Sequence, residues 1–190
     1  MKTATLLALS LLVVSSATVC AQDYRHEVSV GIGLATFPDI AESFMMVLSV
    51  PYSMGFVHEE VTTTPALTVY YMYHASRLIS VGGNFVYQKF DREWYLLGEQ
   101  VSTNSINYYT FMGRVDFNYV RTRLLRMYSG VALGIFHASE SGESVEDNTL
   151  TKGALQVNAF GLRVGKQLAG YLEFGFGFNG IIAAGIAYEF

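Results

Sequence analysis

The sequence predicts an all-β chain: an eight-stranded antiparallel up-and-down transmembrane β-barrel preceded by a cleavable signal peptide. Three observations carry this prediction. The 190 residues are 51% hydrophobic and only 15% charged, with a mean hydropathy of +0.29, yet after residue 22 no apolar run is long and clean enough for a membrane helix. The apolar residues recur with a period of two, which is the period of strands. The residues alternating with them are largely Gly, Ala, Ser, Asn and Tyr, where a soluble sheet would place many Lys and Glu.

Each element follows in order. Residues 1–21 read as a signal peptide, with Lys2 before a short apolar core from Leu6 to Val14 and cleavage after Ala21. Cys20 is the chain's one cysteine, so no disulfide framework is available. Lipidation of Cys20 would need a small residue before it, where Val19 stands. Residues 22–190 form the barrel domain. Its strands are expected at His26 to Ala35, Pro65 to His74, Leu78 to Lys89, Asn107 to Val120, Leu125 to His137, Ala154 to Lys166, Gly170 to Phe178 and Gly180 to Phe190. In the sixth strand the alternation slips near Phe160-Gly161, which predicts a bulge. The connections alternate: 36–64, 90–106 and 138–153 are long, while 75–77, 121–124 and 167–169 are short. Asn179-Gly180 reads as a tight hairpin turn. Long loops at one end and short turns at the other describe an up-and-down barrel with both termini on the short-turn side.

The polar face identifies the environment. The only lysines after the signal peptide are Lys89, Lys152 and Lys166. Small residues suit a narrow barrel's crowded interior. The apolar face must then look outward into lipid, and a closed sheet satisfies the backbone hydrogen bonds that hydrocarbon cannot. The competing arrangement is a soluble sandwich with those side chains as its core. Tyr71, Tyr73, Phe85, Tyr87, Tyr109, Tyr119, Tyr188 and Phe190 fall near strand ends on the outward face and are candidates for interfacial aromatic girdles.

The last strand, Gly180 to Phe190, ends in Phe with apolar residues at alternate positions before it. This resembles the terminal signal read by the barrel assembly machinery of Gram-negative bacteria. The pattern of residues 22–190 resembles the eight-stranded outer-membrane β-barrel family, the OmpX and OmpA-transmembrane-domain type, most typically over Gly153 to Phe190. The resemblance implies a small porin-like integral protein of the cell outer membrane, surrounded by outer-membrane lipid and lipopolysaccharide. It implies a structural or surface-interaction role, with any extracellular partner met through the loops.

The inward face should hold Glu27, His74, Asn84, Gln88, Arg114, Asp116, Gln156, Asn158, Glu173 and Glu189, joined by Arg163 if the strand bulges. Unpaired charges there are costly, so Arg114 is expected to pair with Glu173 or Glu189. The alternative use of this network is a narrow water or ion path. The long links carry Asp39, Glu42, Glu59, Glu60, Asp91, Glu93, Glu99, Glu140, Glu143, Glu146 and Asp147, against Arg77, Arg121, Arg123, Arg126 and Lys166 at the short turns. This gives an acidic outer surface and a basic periplasmic rim. Acidic loops could bind divalent cations, though no ligand spacing marks a site. Ile40 to Val50, apolar and Met-rich, suits a short helix or strand extension over the barrel mouth.

No catalytic, cofactor-binding or metal-ligating residue is expected. His137-Ala138-Ser139 is similar to the His-x-Ser of PagL-type lipid A deacylases, in which histidine would take the serine proton and Glu140 or Glu146 would orient it. The Asn that follows Ser in that family is Glu140 here, and Ser139 to Asn148 reads as a Ser/Glu-rich loop. Gly31-Ile32-Gly33 and Gly175-Phe176-Gly177 are strand glycines, since no helix follows a turn there. The four histidines lack metal spacing. A net charge of −4 argues against nucleic acid, and Asp91 and Glu93 interrupt the aromatic and basic run from Phe85 to Trp94.

Overall fold

The structure, a computed structural model, describes residues 25–41, 57–96, 99–142 and 145–190, with side chains in the strands described at 62–91, 104–141 and 149–190. The signal peptide, Cys20 and most of the Met-rich segment lie outside the described residues. So do Glu42 and Glu143, and the side chains of Glu59, Glu60, Glu93, Trp94, Glu99, Glu146 and Asp147.

Nine strands form one antiparallel sheet that closes on itself: β1 His26–Leu34, β2 Val57–Thr63, β3 Ala66–Tyr73, β4 Ile79–Leu96, β5 Glu99–Arg121, β6 Leu125–Gly142, β7 Val145–Gly165, β8 Leu168–Gly177 and β9 Ile182–Glu189. Following the hydrogen bonds from β3 through β1, β9, β8, β7, β6, β5 and β4 returns to β3. This is the expected eight-stranded barrel. β2 and β3 are one wall strand broken at Thr64-Pro65, and both pair with β4, β2 along Phe90–Leu96 and β3 along Val81–Tyr87. Proline cannot donate to the ladder. Thr64 spans the break instead, with its N–H and hydroxyl reaching Lys89 O and its Oγ1 accepting from Lys89 N–H.

Burial follows the alternation. In β1, Glu27, Ser29, Gly31 and Gly33 face inward, while Val28, Val30, Ile32 and Leu34 face out. Leu133, Phe111 and Ile186 are 64%, 57% and 62% exposed. A soluble protein would hide such a surface. Below the mouth the interior side chains are mainly Glu, Asp, Arg, Asn, Gln, Ser, Thr and Tyr, so the barrel is largely polar within and apolar without. The expected bulge is present: β7 shifts register against both β6 and β8 at Ala159, whose carbonyl accepts from Ser129 Oγ at 2.6 Å. This brings Arg163 inward, 4% exposed.

Four expectations need correction. The links 90–106 and 138–153 are mostly strand, because β4 continues to Leu96, β5 begins at Glu99, β6 reaches Gly142 and β7 begins at Val145. Cross-strand backbone pairing holds these polar stretches extended although their alternation is weak. The link 36–64 contains β2 and a helix at 37–41. Phe178 is inside, because Gly177 at φ +139° breaks the alternation and turns the chain over the mouth. Arg126 is 5% exposed inside the barrel, in the same inward phase as Tyr128 and Ala132, and not on the basic rim. Arg77, Arg123 and Lys166 remain exposed at the short turns, and Arg121 reaches Ser76 O across two of them.

The walls differ in height. β8 and β9 turn back at Phe178–Ile181, and the first β7–β8 pair is Gln156 with Gly177. The Val145–Leu155 part of β7, about 35 Å of strand, rises past that wall with β6 alongside. β4 rises from Phe90 to Leu96 between β2 and β5. Upper parts of β2, β4, β5, β6 and β7 thus form a sheet standing over one side of the mouth.

Candidate functional site

The lumen is filled in three layers. The floor, at the end of the short turns, joins Glu27 on β1, His74 after β3, Arg126 on β6, Arg163 on β7 and Glu189 on β9. Arg126 Nη2 donates to Glu27 Oε1 at 2.7 Å, and Arg126 Nη1 to Glu189 Oε1 at 3.2 Å. Arg163 Nε lies 2.8 Å from Glu27 Oε2, and its Nη2 caps the carbonyls of Lys166 and Gln167. Glu27, His74 and Glu189 bring donor atoms within 4.8 Å of one another, but the two guanidiniums already hold these carboxylates. The arrangement is an ion-pair cluster.

The middle layer centres on Arg114. Its Nε donates to Asp116 Oδ1 at 2.8 Å, and Nη1 and Nη2 fork onto the Glu173 carboxylate. Glu173 also accepts from Tyr128 Oη at 2.7 Å and from Asn158 Nδ2 at 3.1 Å. The guanidinium lies between the rings of Tyr70 and Tyr128, 4.9 and 5.7 Å from their centroids. Of the two partners expected for Arg114, the fold supplies Glu173, while Glu189 belongs to the floor. Asn158 continues the network to Gln156 and the Asn179 backbone N–H, and Asn84 donates to Asn179 Oδ1.

The top layer is apolar. Ala66, Val86, Met112, Ala132, Ala154 and Phe178 form one buried cluster, with Phe136 against it. Phe90, Ile106 and Ala138 form another, bordered by Tyr108. The helix at 37–41 is pinned here. Thr36 and Asp39 cap each other's backbone N–H, and Gln88, inward as expected, bonds both side chains. Phe37 packs on Phe178 and Phe176.

Outside, an apolar belt is bounded by aromatics. At the short-turn end His26 meets the rings of Tyr71, Tyr73 and Phe190 at 6.0, 5.2 and 5.7 Å, with Tyr188 beside Phe190. Toward the mouth Tyr87 and Tyr109 pair at 5.3 Å. Phe85 packs on Phe111 within the belt, not at a strand end as expected, because β4 runs on to Leu96.

The chain is an eight-stranded transmembrane β-barrel. A closed sheet with a polar lumen and an apolar exterior is the strand structure that hydrocarbon accepts, and single-chain barrels of even strand number with short turns at one end are built for bacterial outer membranes. No protein-family model matches the chain, and no curated protein does. Among solved structures, Ail, the attachment invasion locus protein of Yersinia pestis, is similar in two crystal structures. The one with the heparin analogue sucrose octasulfate has a TM-score of 0.49 and the other 0.46, each at 12% identity and covering 88% of this chain and 99% of that one.

His137 and Ser139 lie on β6 strand, not beside a loop. His137 is exposed, and its Nδ1 meets Thr151 Oγ1 at 2.9 Å. Glu140 is on the opposite face of the strand, out of phase with His137, so it does not orient the imidazole. The sequence reading missed Arg126 and Tyr171 in the lumen. Arg126 shares parity with Tyr128, Gly130 and Ala132, and that phase was the available signal. Tyr171 shares it with Glu173.

Above the mouth, Lys89 Nζ lies 2.9 Å from Asp91 Oδ2, and Ser105 Oγ donates to Asp91 Oδ1 at 2.6 Å. The bonds from Lys89 and Ser105 hold the Asp91 carboxyl below its ordinary value. A lowered folded value means that this contribution is present above the unfolded carboxyl's value, about 3.9, and fades as pH falls through the folded one. Both side chains are a third exposed or more, which limits the pair to under about 1 kcal/mol. Lys89→Met should therefore weaken the barrel slightly at pH 7 and not at pH 2, as read by denaturant titration at the two pH values.

Proposed function

We propose that this barrel is a closed outer-membrane anchor of a Gram-negative bacterium that holds its tall sheet above the cell surface for contact with other molecules, with a structural or surface-interaction role and no catalysis. The observation that carries this reading is the uneven wall. β2 and β4–β7 continue well beyond the level at which β8 and β9 turn back, although the apolar belt needs no strand of that length. The lumen supports it. A guanidinium–carboxylate bridge crosses the middle, and packed apolar side chains fill the mouth, which disfavours a channel. Outer-leaflet lipopolysaccharide would surround the belt, and the strand ending at Phe190 would be read by the assembly machinery.

The test separates anchor from contact surface. Replacing 91–105 by a two-residue turn should leave a heat-modifiable, detergent-extracted barrel while abolishing adhesion of whole cells to immobilised host matrix or to one another. A shortened barrel that adheres like the parent overturns the surface role. Discrete single-channel conductance in planar bilayers would favour the channel. Altered lipid A acylation that depends on His137 would favour the deacylase.

A further inference from the structure

Among the described side chains, His74 is the one buried histidine, 4% exposed, and both of its ring nitrogens meet polar partners. Arg126 Nη1 stands 3.0 Å from Nε2. A guanidinium only donates, so Nε2 offers its lone pair and Nδ1 carries the proton. Nδ1–H then donates to Ser80 Oγ at 2.8 Å, which also accepts from Asn118 Nδ2 at 2.8 Å. The imidazole drawn by this geometry is neutral. Yet the same Nε2 lies 3.4 Å from Glu189 Oε1 and 3.9 Å from Glu27 Oε2, two acceptors that a second N–H would serve.

The charges of the lumen point the same way. On the floor Glu27 and Glu189 are balanced by Arg126 and Arg163. In the middle layer Arg114 faces both Asp116 and Glu173. The floor and middle layers together hold four carboxylates against three guanidiniums, each carboxylate paired with at least one of them. A proton on His74 would face the two floor carboxylates, but it would set N–H against N–H at the Arg126 contact. The Arg126 contact favours one state and the two carboxylates favour the other.

We infer that His74 is a proton-operated latch in the barrel floor. When His74 takes a proton, Nε2–H turns to Glu189 and Glu27, and Arg126 Nη1 withdraws. Arg126 keeps its Nη2 bond to Glu27 and its place 5.2 Å over the Tyr128 ring. The end of β3 then bonds to both β9 and β1, while Arg126 on β6 gives up Glu189 on β9 and keeps Glu27 on β1. The groups in contact with His74 are Glu27 from β1, Ser80 from β4, Arg126 from β6 and Glu189 from β9, with Asn118 from β5 behind Ser80 and Arg163 from β7 behind the two carboxylates. Histidine is the side chain whose charge ordinarily changes between pH 5 and 8, so the latch responds to the acidity of the compartment at the short-turn end. It rests on the lumen geometry alone and is independent of the surface role proposed above.

The test is nuclear magnetic resonance of the full barrel in lipid nanodiscs, with histidine and arginine side chains labelled with ¹⁵N, titrated from pH 8 to 4. The expected result is a His74 ring that is Nδ1–H neutral at high pH and doubly protonated in acid, with Arg126 side-chain resonances shifting at the same midpoint. His74→Gln should abolish the Arg126 shift. Glu189→Gln, which removes the negative charge beside the new N–H and leaves the ring in place, should move the His74 midpoint to lower pH. The latch is overturned if His74 keeps one protonation state throughout, if it titrates while Arg126 stays still, or if Glu189→Gln leaves the midpoint unmoved.

Discussion

Arg114→Met should be the most damaging single substitution in the lumen, costing about 3–5 kcal/mol of stability. Arg114, Asp116 and Glu173 are each 3% exposed, and the guanidinium is the positive partner of both carboxylates. Methionine fills most of the volume but leaves two negative charges in a medium that cannot solvate them. Urea unfolding in lipid vesicles, followed by heat-modifiable migration, reads the effect. The triple variant Arg114→Met, Asp116→Asn, Glu173→Gln removes the whole ion cluster and should recover most of the loss, since replacing a buried ion pair together is far less costly than breaking it. If Arg114→Met alone unfolds at the parent's urea concentration, the bridge contributes nothing to the barrel.

That network also marks how far the sequence can be read. Alternation places Arg114, Asp116 and Glu173 on one face, because period two is a local property of each strand. It does not choose between Glu173 and Glu189 as partners, because that choice depends on register and on strand stagger around the barrel. The phase also held Arg126, but its place next to a short turn made a rim position look natural. The long links were misread for a related reason. Residues 90–106 carry Asp91, Glu93, Glu99 and many polar residues, which look like loop when each strand is judged alone. Only the ladder of β4 on β5, from Ile79 with Phe117 to Leu96 with Glu99, explains why they stay extended. Phe178 escaped because its inward turn depends on the conformation of Gly177 and not on hydrophobicity. The bulge at Ala159 was visible, since a slipped alternation is itself the local trace of an extra residue.

The outward face gives the other large effect, and its sign separates lipid from water as the surrounding solvent. Leu133 is 64% exposed and Leu168 63%. Leu133 sits near the middle of the belt, paired with Gly113 and Leu155, whereas Leu168 begins β8 beside the short turn, opposite Tyr188. In water, arginine at either position would change stability by no more than about 0.5 kcal/mol, as is usual for surface substitutions. In a bilayer the cost depends on depth: about 2–4 kcal/mol for arginine at the midplane and about 0–1 kcal/mol near the interface. Leu133→Arg should therefore destabilise the vesicle-inserted barrel by about 1–4 kcal/mol more than Leu168→Arg, although the two leucines are almost equally exposed. The readout is the difference in urea midpoint at constant slope. Equal and negligible costs would mean that Leu133 meets water, and the apolar exterior would then need an occupant other than acyl chains. A penalty that follows depth instead of exposure would tie Leu133 to the hydrocarbon and the short-turn end to the headgroups, since a leucine and an arginine in identical solvent could not tell the two positions apart.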